Sequence, residues 1–129
     1  MAKGKVSNAL ISQMDLLATS AQLVGVKLKA DEAKDSKALL KTLTGEDPKG
    51  RSTMIQHAQT LAIVKDDWKY IAPSDGTAYM KLTDTETGNL PEDQLYDLKN
   101  DIGEKNNVAA KYPEKVTELK QMLEGERKK

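Results

Sequence analysis

The period of the apolar residues changes close to Arg51. Before this residue, apolar side chains recur at the three- and four-residue spacing of a helix, whereas from residue 53 to residue 71 they alternate with polar ones, as in a strand. This change predicts helices followed by an antiparallel sheet. With a last helical pattern after Pro113, the chain predicts an α+β fold: a small antiparallel sheet of about four strands with a C-terminal helix packed on it, preceded by two helices.

Two helices are predicted before the sheet. The spacing predicts the first helix over Ser7–Val24, with Ser7 or Asn8 as its N-cap and Gly25 as its end. The second helix is predicted over Ser36–Thr44, with Ser36 as its N-cap and Gly45 as its end. Apolar residues of the first helix occupy more than one face. With 38% hydrophobic residues and no Phe, the chain has a lean core that can hardly cover such a helix. We therefore expect this helix to pack against protein outside the chain.

Short alternating segments predict the strands, and a proline predicts the start of the closing helix. The stretch Pro73–Pro91 holds turn residues and little periodicity, which indicates a long surface loop. Pro113 suits the first position of a helix, which we expect to run to about Glu124 with an apolar stripe along one side. The predicted strands are Thr53–His57, Leu61–Val64, Trp68–Ile71 and Gln94–Leu98, with bends at Gln59-Thr60 and Lys65-Asp66-Asp67, and the helix stripe is Val116, Leu119 and Leu123.

Composition disfavours several classes of function. The chain has 129 residues, with 20 Lys and Arg balancing 20 Asp and Glu, so no net field attracts nucleic acid or an anionic membrane, and neither partner is expected. The absence of cysteine excludes a disulfide, a thiolate metal site and a cysteine nucleophile. No apolar run approaches the roughly 18 residues of a membrane-spanning helix.

Residue chemistry alone predicts no catalytic residue and no metal site. His57 is the one histidine, and without a second His or a Cys nearby a structural or surface role is favoured. Trp68 could offer a platform for a sugar, but a Trp in a short alternating strand is more often a core residue. Carboxylates in the turns lack the spacing of an EF-hand, and such residues usually cap backbone amides. These carboxylates are Asp66, Asp67, Asp97, Asp101 and Glu104.

A series of short motifs covers nearly the whole chain in a specific order. A Trp-Lys-Tyr strand is followed by Leu-Tyr-Asp-Leu, then by spaced Asp, Glu and Asn residues, and finally by a helix that starts at a proline. The motifs are Ser12–Thr19, Gly25, Asp35-Ser36, Leu39-Leu40, Leu43–Gly45, Gly50-Arg51, Lys65, Trp68–Ile71, Leu95–Leu98, Asp101, Glu104 and Asn107–Ala109. This order resembles the C-terminal segment of a type I, formylglycine-dependent sulfatase of the arylsulfatase family.

The resemblance implies a parent protein that is larger than this chain. Residues 1–50 would be the end of the large alkaline-phosphatase-like α/β domain, and residues 51–129 would be the C-terminal subdomain. The implied parent hydrolyses sulfate esters of a small molecule or glycan with calcium and a formylglycine made within a C/S-x-P-x-R motif. None of the four prolines of the chain lies in such a motif. We therefore expect this chain to need the N-terminal catalytic domain as its partner and to be inactive alone.

The resemblance also implies that loops of this region border the substrate cleft. On that basis His57 and Gln59 are the substrate-binding candidates, together with the Pro73–Pro91 loop. Two alternatives are a separate binding module that uses Trp68 and the long loop, and a domain that dimerises through the Ser7–Val24 helix. Because the family is commonly exported, the implied parent is periplasmic or secreted.

Overall fold

The protein is described by a computed structural model over Gly4 and residues 6–128. Residues 1–3 and 5 of the predicted region 1–50, and Lys129 after the closing helix, lie outside the described residues. The chain forms two compact units, Met1–Met54 and Ile55–Lys129. No helix among the described residues is long and apolar enough to cross a membrane.

The first helix of the N-terminal unit is shorter than the predicted Ser7–Val24. Helix α1 spans Asp15–Leu23, so the prediction is wrong for its first half. Leu10 instead forms a parallel bridge with Gly50, and its carbonyl accepts the N–H of Arg51 at 2.8 Å. A Cβ on Gly50 would lie 2.4 Å from that carbonyl oxygen, and Gly50 has a φ of +69°. A glycine is therefore required where these two backbones meet.

Both predicted glycine terminators are confirmed. After α1, the N–H of Gly25 donates to the carbonyl of Gln22 and the N–H of Val26 donates to that of Ala21, which is a Schellman motif. Helix α2 spans Leu40–Thr44 and ends at Gly45, whose φ of 87° is left-handed.

The predicted start of the second helix at Ser36 is wrong, because α2 begins only at Leu40. The hydroxyl of Ser36 accepts the N–H of Ala18 in α1 at 3.0 Å. Ser36 therefore ties the segment before α2 to α1 and does not cap its own helix.

The four predicted strands form one sheet. Strands β2 and β3 are antiparallel, as are β3 and β6, and Ile63, Tyr70 and Leu95 stand in register across them. The turn residues Gln59 and Asp66 have φ values of 68° and 52°, as tight reversals require. The strands are β1 (Thr53–Ala58), β2 (Thr60–Lys65), β3 (Trp68–Ile71), β4 (Tyr79–Met80), β5 (Thr85–Glu86) and β6 (Gln94–Asp97), and the sheet order is β1-β2-β3-β6.

The closing helix α3 spans Pro113–Arg127 and covers one face of this sheet. The predicted start at Pro113 is confirmed, and a 3₁₀ turn at Ala109–Lys111 precedes it. Leu119 and Leu123 are buried against the central strands, where they form the main core with Ile63, Tyr70 and Leu95. Trp68 packs against this core with its ring centroid 5.2 Å from that of Tyr112, as its place in an alternating strand predicts.

The stretch Pro73–Pro91 is more ordered than a surface loop. It contains the two-stranded β4–β5 hairpin, whose strand residues are exposed. The residues that follow turn inward, and Thr87 and Asn89 are buried. The prediction of a long surface loop is therefore wrong where the hairpin forms and where Thr87 and Asn89 are buried.

Candidate functional site

The spaced Asp, Glu and Asn residues that follow β6, namely Asp101, Glu104 and Asn107, form hydrogen bonds that stabilise the fold. Glu104 accepts two bonds from the Lys69 ammonium on β3, both at 2.7 Å. The Asn107 side-chain oxygen accepts the backbone N–H groups of Leu95 and Ala109, each at 3.0 Å. The motif thus fastens the segment between β6 and the 3₁₀ turn to the sheet.

Asp101 stabilises the same segment between β6 and the 3₁₀ turn. Backbone N–H donors of Lys105 and Asn106 lower the pKa of its carboxyl. Asp97 accepts the N–H of Lys99 at 3.1 Å in the preceding turn. Both residues therefore play the capping role that turn carboxylates usually have.

The N-terminal unit contains a buried ion pair. Asp15 is 2% exposed, and both of its carboxylate oxygens accept bonds from the guanidinium of Arg51. The N–H groups of Ser12 and Lys37 each donate to the same carboxylate at 2.9 Å. The side-chain hydrogen bonds from Arg51 are the main cause that lowers the pKa of Asp15 to about 2. This pair joins three segments of the unit and has the satisfied geometry of a structural pair.

The face of the sheet that does not carry α3 is the floor of a groove of about 620 Å³. The register places Ala62, Ile71 and Gln94 in one row on this face and Lys69 beside Tyr96 in the next. Residues of the β4–β5 hairpin, residues 87–90 and residues 102–104 also line the groove. We refer to this space as the sheet groove.

Polar side chains of the sheet groove are fixed by one another. The Gln94 amide nitrogen donates to the carbonyl of Gly88 at 2.8 Å, and the Tyr96 hydroxyl donates to the Gln94 oxygen at 2.9 Å. Burial raises the pKa of Tyr96, and the neighbouring carboxylate of Glu104 raises it further. Tyr96 therefore remains a protonated donor at neutral pH.

A buried amide anchors the hairpin beside the sheet groove. Asn89 is 2% exposed, donates to the Gln59 side-chain oxygen at 2.9 Å and accepts the Ser74 hydroxyl at 2.5 Å. A Cβ on Gly76 would lie 2.5 Å from the Asn89 nitrogen, so the chain passes very close to this amide. The base of the hairpin is therefore held firmly while its tip remains in solvent.

The two predicted substrate-binding residues lie at the end of β1 and in the turn after it. His57 is exposed, and strand alternation places it on the side opposite to Gln56 and Ala58, which line the sheet groove. Gln59 is exposed, but its side chain is held by Asn89 and donates to the sulfur of Met80 at 3.0 Å. The structure does not bring these two side chains together at one site.

Sequence reasoning missed the sheet groove. A signal was present, since the second face of the strands places the polar residues Lys69 and Gln94 among the apolar Ala62, Ile71 and Tyr96. Among the described residues, no group of three His, Asp or Glu side chains is placed to hold a metal ion. This part of the chain therefore does not fit the calcium that the resemblance implies for a parent.

Comparison with known proteins finds relatives that are named as sulfatases. No family model matches the chain. It is 47% identical over 124 residues to an N-acetylgalactosamine-6-O-sulfatase of Bacteroides thetaiotaomicron, a match that covers 95% of this chain and 24% of the relative. It is 40% identical over 67 residues to arylsulfatase K of Bos taurus, which covers 52% of this chain and 10% of that protein.

A solved structure gives the same result for the fold. The structure comes from work on glycosaminoglycan metabolism by Bacteroides thetaiotaomicron and superposes with a TM-score of 0.86 at 46% identity, over 95% of this chain and 26% of that one. The structural neighbours are sulfatases of the alkaline-phosphatase-like fold, which confirms the predicted fold class. The chain spans about a quarter of the length of the N-acetylgalactosamine-6-O-sulfatase and of this solved structure.

Proposed function

We propose that this chain, which is similar to the C-terminal portion of sulfatases over nearly its whole length, completes the fold of a sulfate-ester hydrolase and borders its substrate cleft. The catalytic domain is then its partner, and that domain supplies the formylglycine and the calcium. Support comes from the share of the relatives that the chain covers and from its own residues, which include no C/S-x-P-x-R motif. By itself the chain is inactive as a sulfatase.

The proposed substrate is a sulfated glycan. The relative with 47% identity is named for removing the 6-O-sulfate of N-acetylgalactosamine, and the solved structure with a TM-score of 0.86 comes from work on glycosaminoglycans. We therefore take 6-O-sulfated N-acetylgalactosamine as the first substrate to test.

We further propose that residues 1–50 belong to the catalytic domain and residues 51–129 to the C-terminal subdomain. Helix α1 turns its small and polar residues inward, with Ala18 and Ala21 buried in its own unit. Its large apolar residues are exposed, Leu16 by 53%, Leu17 by 58% and Leu23 by 68%. A helix with this inverted pattern requires a covering surface, which the rest of a catalytic domain would provide.

A chimera tests the proposed function. The matching region of the Bacteroides thetaiotaomicron N-acetylgalactosamine-6-O-sulfatase is replaced by this chain, and release of sulfate from 6-O-sulfated N-acetylgalactosamine is measured. We expect the chimera to be active, and we expect this chain alone and the truncated relative alone to be inactive, because neither holds the complete fold.

Mass spectrometry of the formylglycine peptide and a thermal unfolding scan serve as controls for the chimera. An inactive chimera that is folded and carries formylglycine would contradict the proposal. Sulfate release by this chain alone would contradict it as well.

His57 and Gln59 remain proposed contacts for the substrate. His57 offers an exposed imidazole, and Gln59 is also exposed, with its side-chain oxygen accepting a hydrogen bond from Asn89. In the active chimera we expect His57→Ala to raise KM by about 10- to 100-fold with a smaller change in kcat, since a lost hydrogen bond to a charged group costs about 1.5–3 kcal/mol. The matched control is Lys128→Ala, at an exposed position beyond the closing helix. Unchanged KM and kcat in the His57 variant would remove it from the site.

A further inference from the structure

We propose that the sheet groove binds an uncharged sugar ring, which stacks on Tyr79 and hydrogen-bonds to Gln56 and Glu86. The inference rests on the proposed function, since it assigns this groove to a neutral residue of the glycan on which the parent enzyme acts. The sulfate group itself is bound elsewhere.

Tyr79 stands on β4 directly opposite Glu86 on β5. The residue lines the groove and is 43% exposed. Its hydroxyl donates to the carboxylate of Asp84 across the turn of the hairpin. The face of an aromatic ring offers an apolar surface to the C–H groups of a sugar.

Two side chains of the groove are suited to sugar hydroxyl groups. Gln56 on β1 and Glu86 on β5 both line the groove. Within the described part of the chain, no hydrogen bond or ion pair engages either side chain. An amide and a carboxylate together offer a donor and several acceptors, which is what a pair of sugar hydroxyl groups requires.

The charge of the groove selects against an anionic ligand. Three charged side chains line it, Lys69, Glu86 and Glu104. Lys69 is paired with Glu104 through two bonds at 2.7 Å, so its charge is already neutralised. Glu86 then leaves one negative charge in excess, which repels a sulfate or a uronate carboxylate. A neutral ring such as N-acetylgalactosamine meets no such penalty.

The groove also has the size and rigidity of a ligand site. A volume of about 620 Å³ lies within the usual range of small-molecule pockets. Its hairpin side is held by Asn89, which is 2% exposed and bonded to Gln59 and Ser74. Because these contacts are made by the protein itself, binding does not have to order the hairpin base.

Nuclear magnetic resonance titration of the full chain tests the inference. The probes are N-acetylgalactosamine and its 6-sulfate, and the readout is the backbone amide spectrum around Ala62, Ile71 and Gly88. We expect saturable shifts with N-acetylgalactosamine and weaker binding of the 6-sulfate. Tyr79→Ala should weaken sugar binding by about two- to tenfold, the value of an aromatic contact of roughly 0.5–1.5 kcal/mol.

Two further variants sharpen the test. Leu82→Ala lies on the same hairpin, 99% exposed and away from the groove lining, and should leave the affinity unchanged. Glu86→Gln should reduce the preference for the unsulfated sugar. The inference is overturned by the absence of saturable shifts, by tighter binding of the 6-sulfate, or by unchanged affinity in a folded Tyr79→Ala variant.

The chimera separates this inference from the proposed function. If the chimera is active but the titration with sugar shifts no amide signals of the groove, the inference about the groove is wrong and the proposed function remains supported. Sugar binding in the groove together with an inactive chimera would remove the function and leave a carbohydrate site.

Discussion

Replacing Arg51 by methionine is expected to lower the stability of the N-terminal unit by about 3–5 kcal/mol, the cost of breaking a buried ion pair from one side. The substitution leaves Asp15 with two backbone donors, Ser12 and Lys37, but with no positive charge beside it. Asp15 is 2% exposed, so its carboxylate must remain charged without a partner, become protonated, or be exposed by unfolding. Amide hydrogen exchange at Lys37 and Leu39, whose N–H groups bond to side chains of α1, measures the loss directly.

The same substitution at the surface provides the control. Arg127 pairs with Glu124 at 2.9 Å, and their side chains are 52% and 49% exposed. Arg127→Met should cost at most about 1 kcal/mol, as is usual for exposed ion pairs. If Arg51→Met costs no more than Arg127→Met, the buried pair does not stabilise the unit.

The acid dependence of stability gives a second readout of this pair. The pKa of Asp15 is about 2 in the folded chain, compared with an ordinary value of 3.8 for an aspartate. A lowered pKa means that the stabilisation, about 2 kcal/mol, is present above pH 3.8 and is lost as the pH falls towards 2. We expect this acid-sensitive component in the wild-type chain and its absence in Arg51→Met.

Local signals predicted the sheet and the ends of the helices. Gly25 and Gly45 ended their helices because a left-handed residue is needed there, and Pro113 started α3 because its φ suits the first turn. The starts of α1 and α2 could not be predicted in this way. Leu10 pairs with Gly50, far along the chain, and Ser36 bonds to α1, so tertiary contacts decide both starts.

The candidate site was less accessible from sequence than the fold. Lys69, Gln94 and Tyr96 come from two strands, and only the register of β3 with β6 brings them to one face. The pairing of Asp15 with Arg51 also depends on chain folding, although both residues stood within motifs of the family resemblance. Turn residues in Pro73–Pro91 predicted a loop, because nothing local indicates that Asn89 is buried.

Truncating Leu119 to alanine is expected to destabilise the C-terminal unit by about 2–5 kcal/mol, the usual cost of a cavity in a core. Leu119 is fully buried beneath the sheet, in a cluster with Leu123, Ile63, Tyr70 and Leu95. The chain has no Phe, and the aromatic rings in or beside this cluster are those of Tyr70, Trp68 and Tyr112. Urea unfolding followed by the fluorescence of Trp68 measures the change, because this ring packs against the same core.

Leu82→Ala is the matched control, since the same atoms are removed from a side chain that is 99% exposed. Its effect should stay within about 0.5 kcal/mol, as for most surface substitutions. Small domains commonly have only about 5–15 kcal/mol of total stability, so the loss at Leu119 should shift the urea midpoint visibly while the slope of the transition stays constant. Equal midpoints for the two variants would mean that α3 is not packed on the sheet in solution. A shifted midpoint with an altered slope would mean that the loss of Leu119 changes the unfolded state as well as the core.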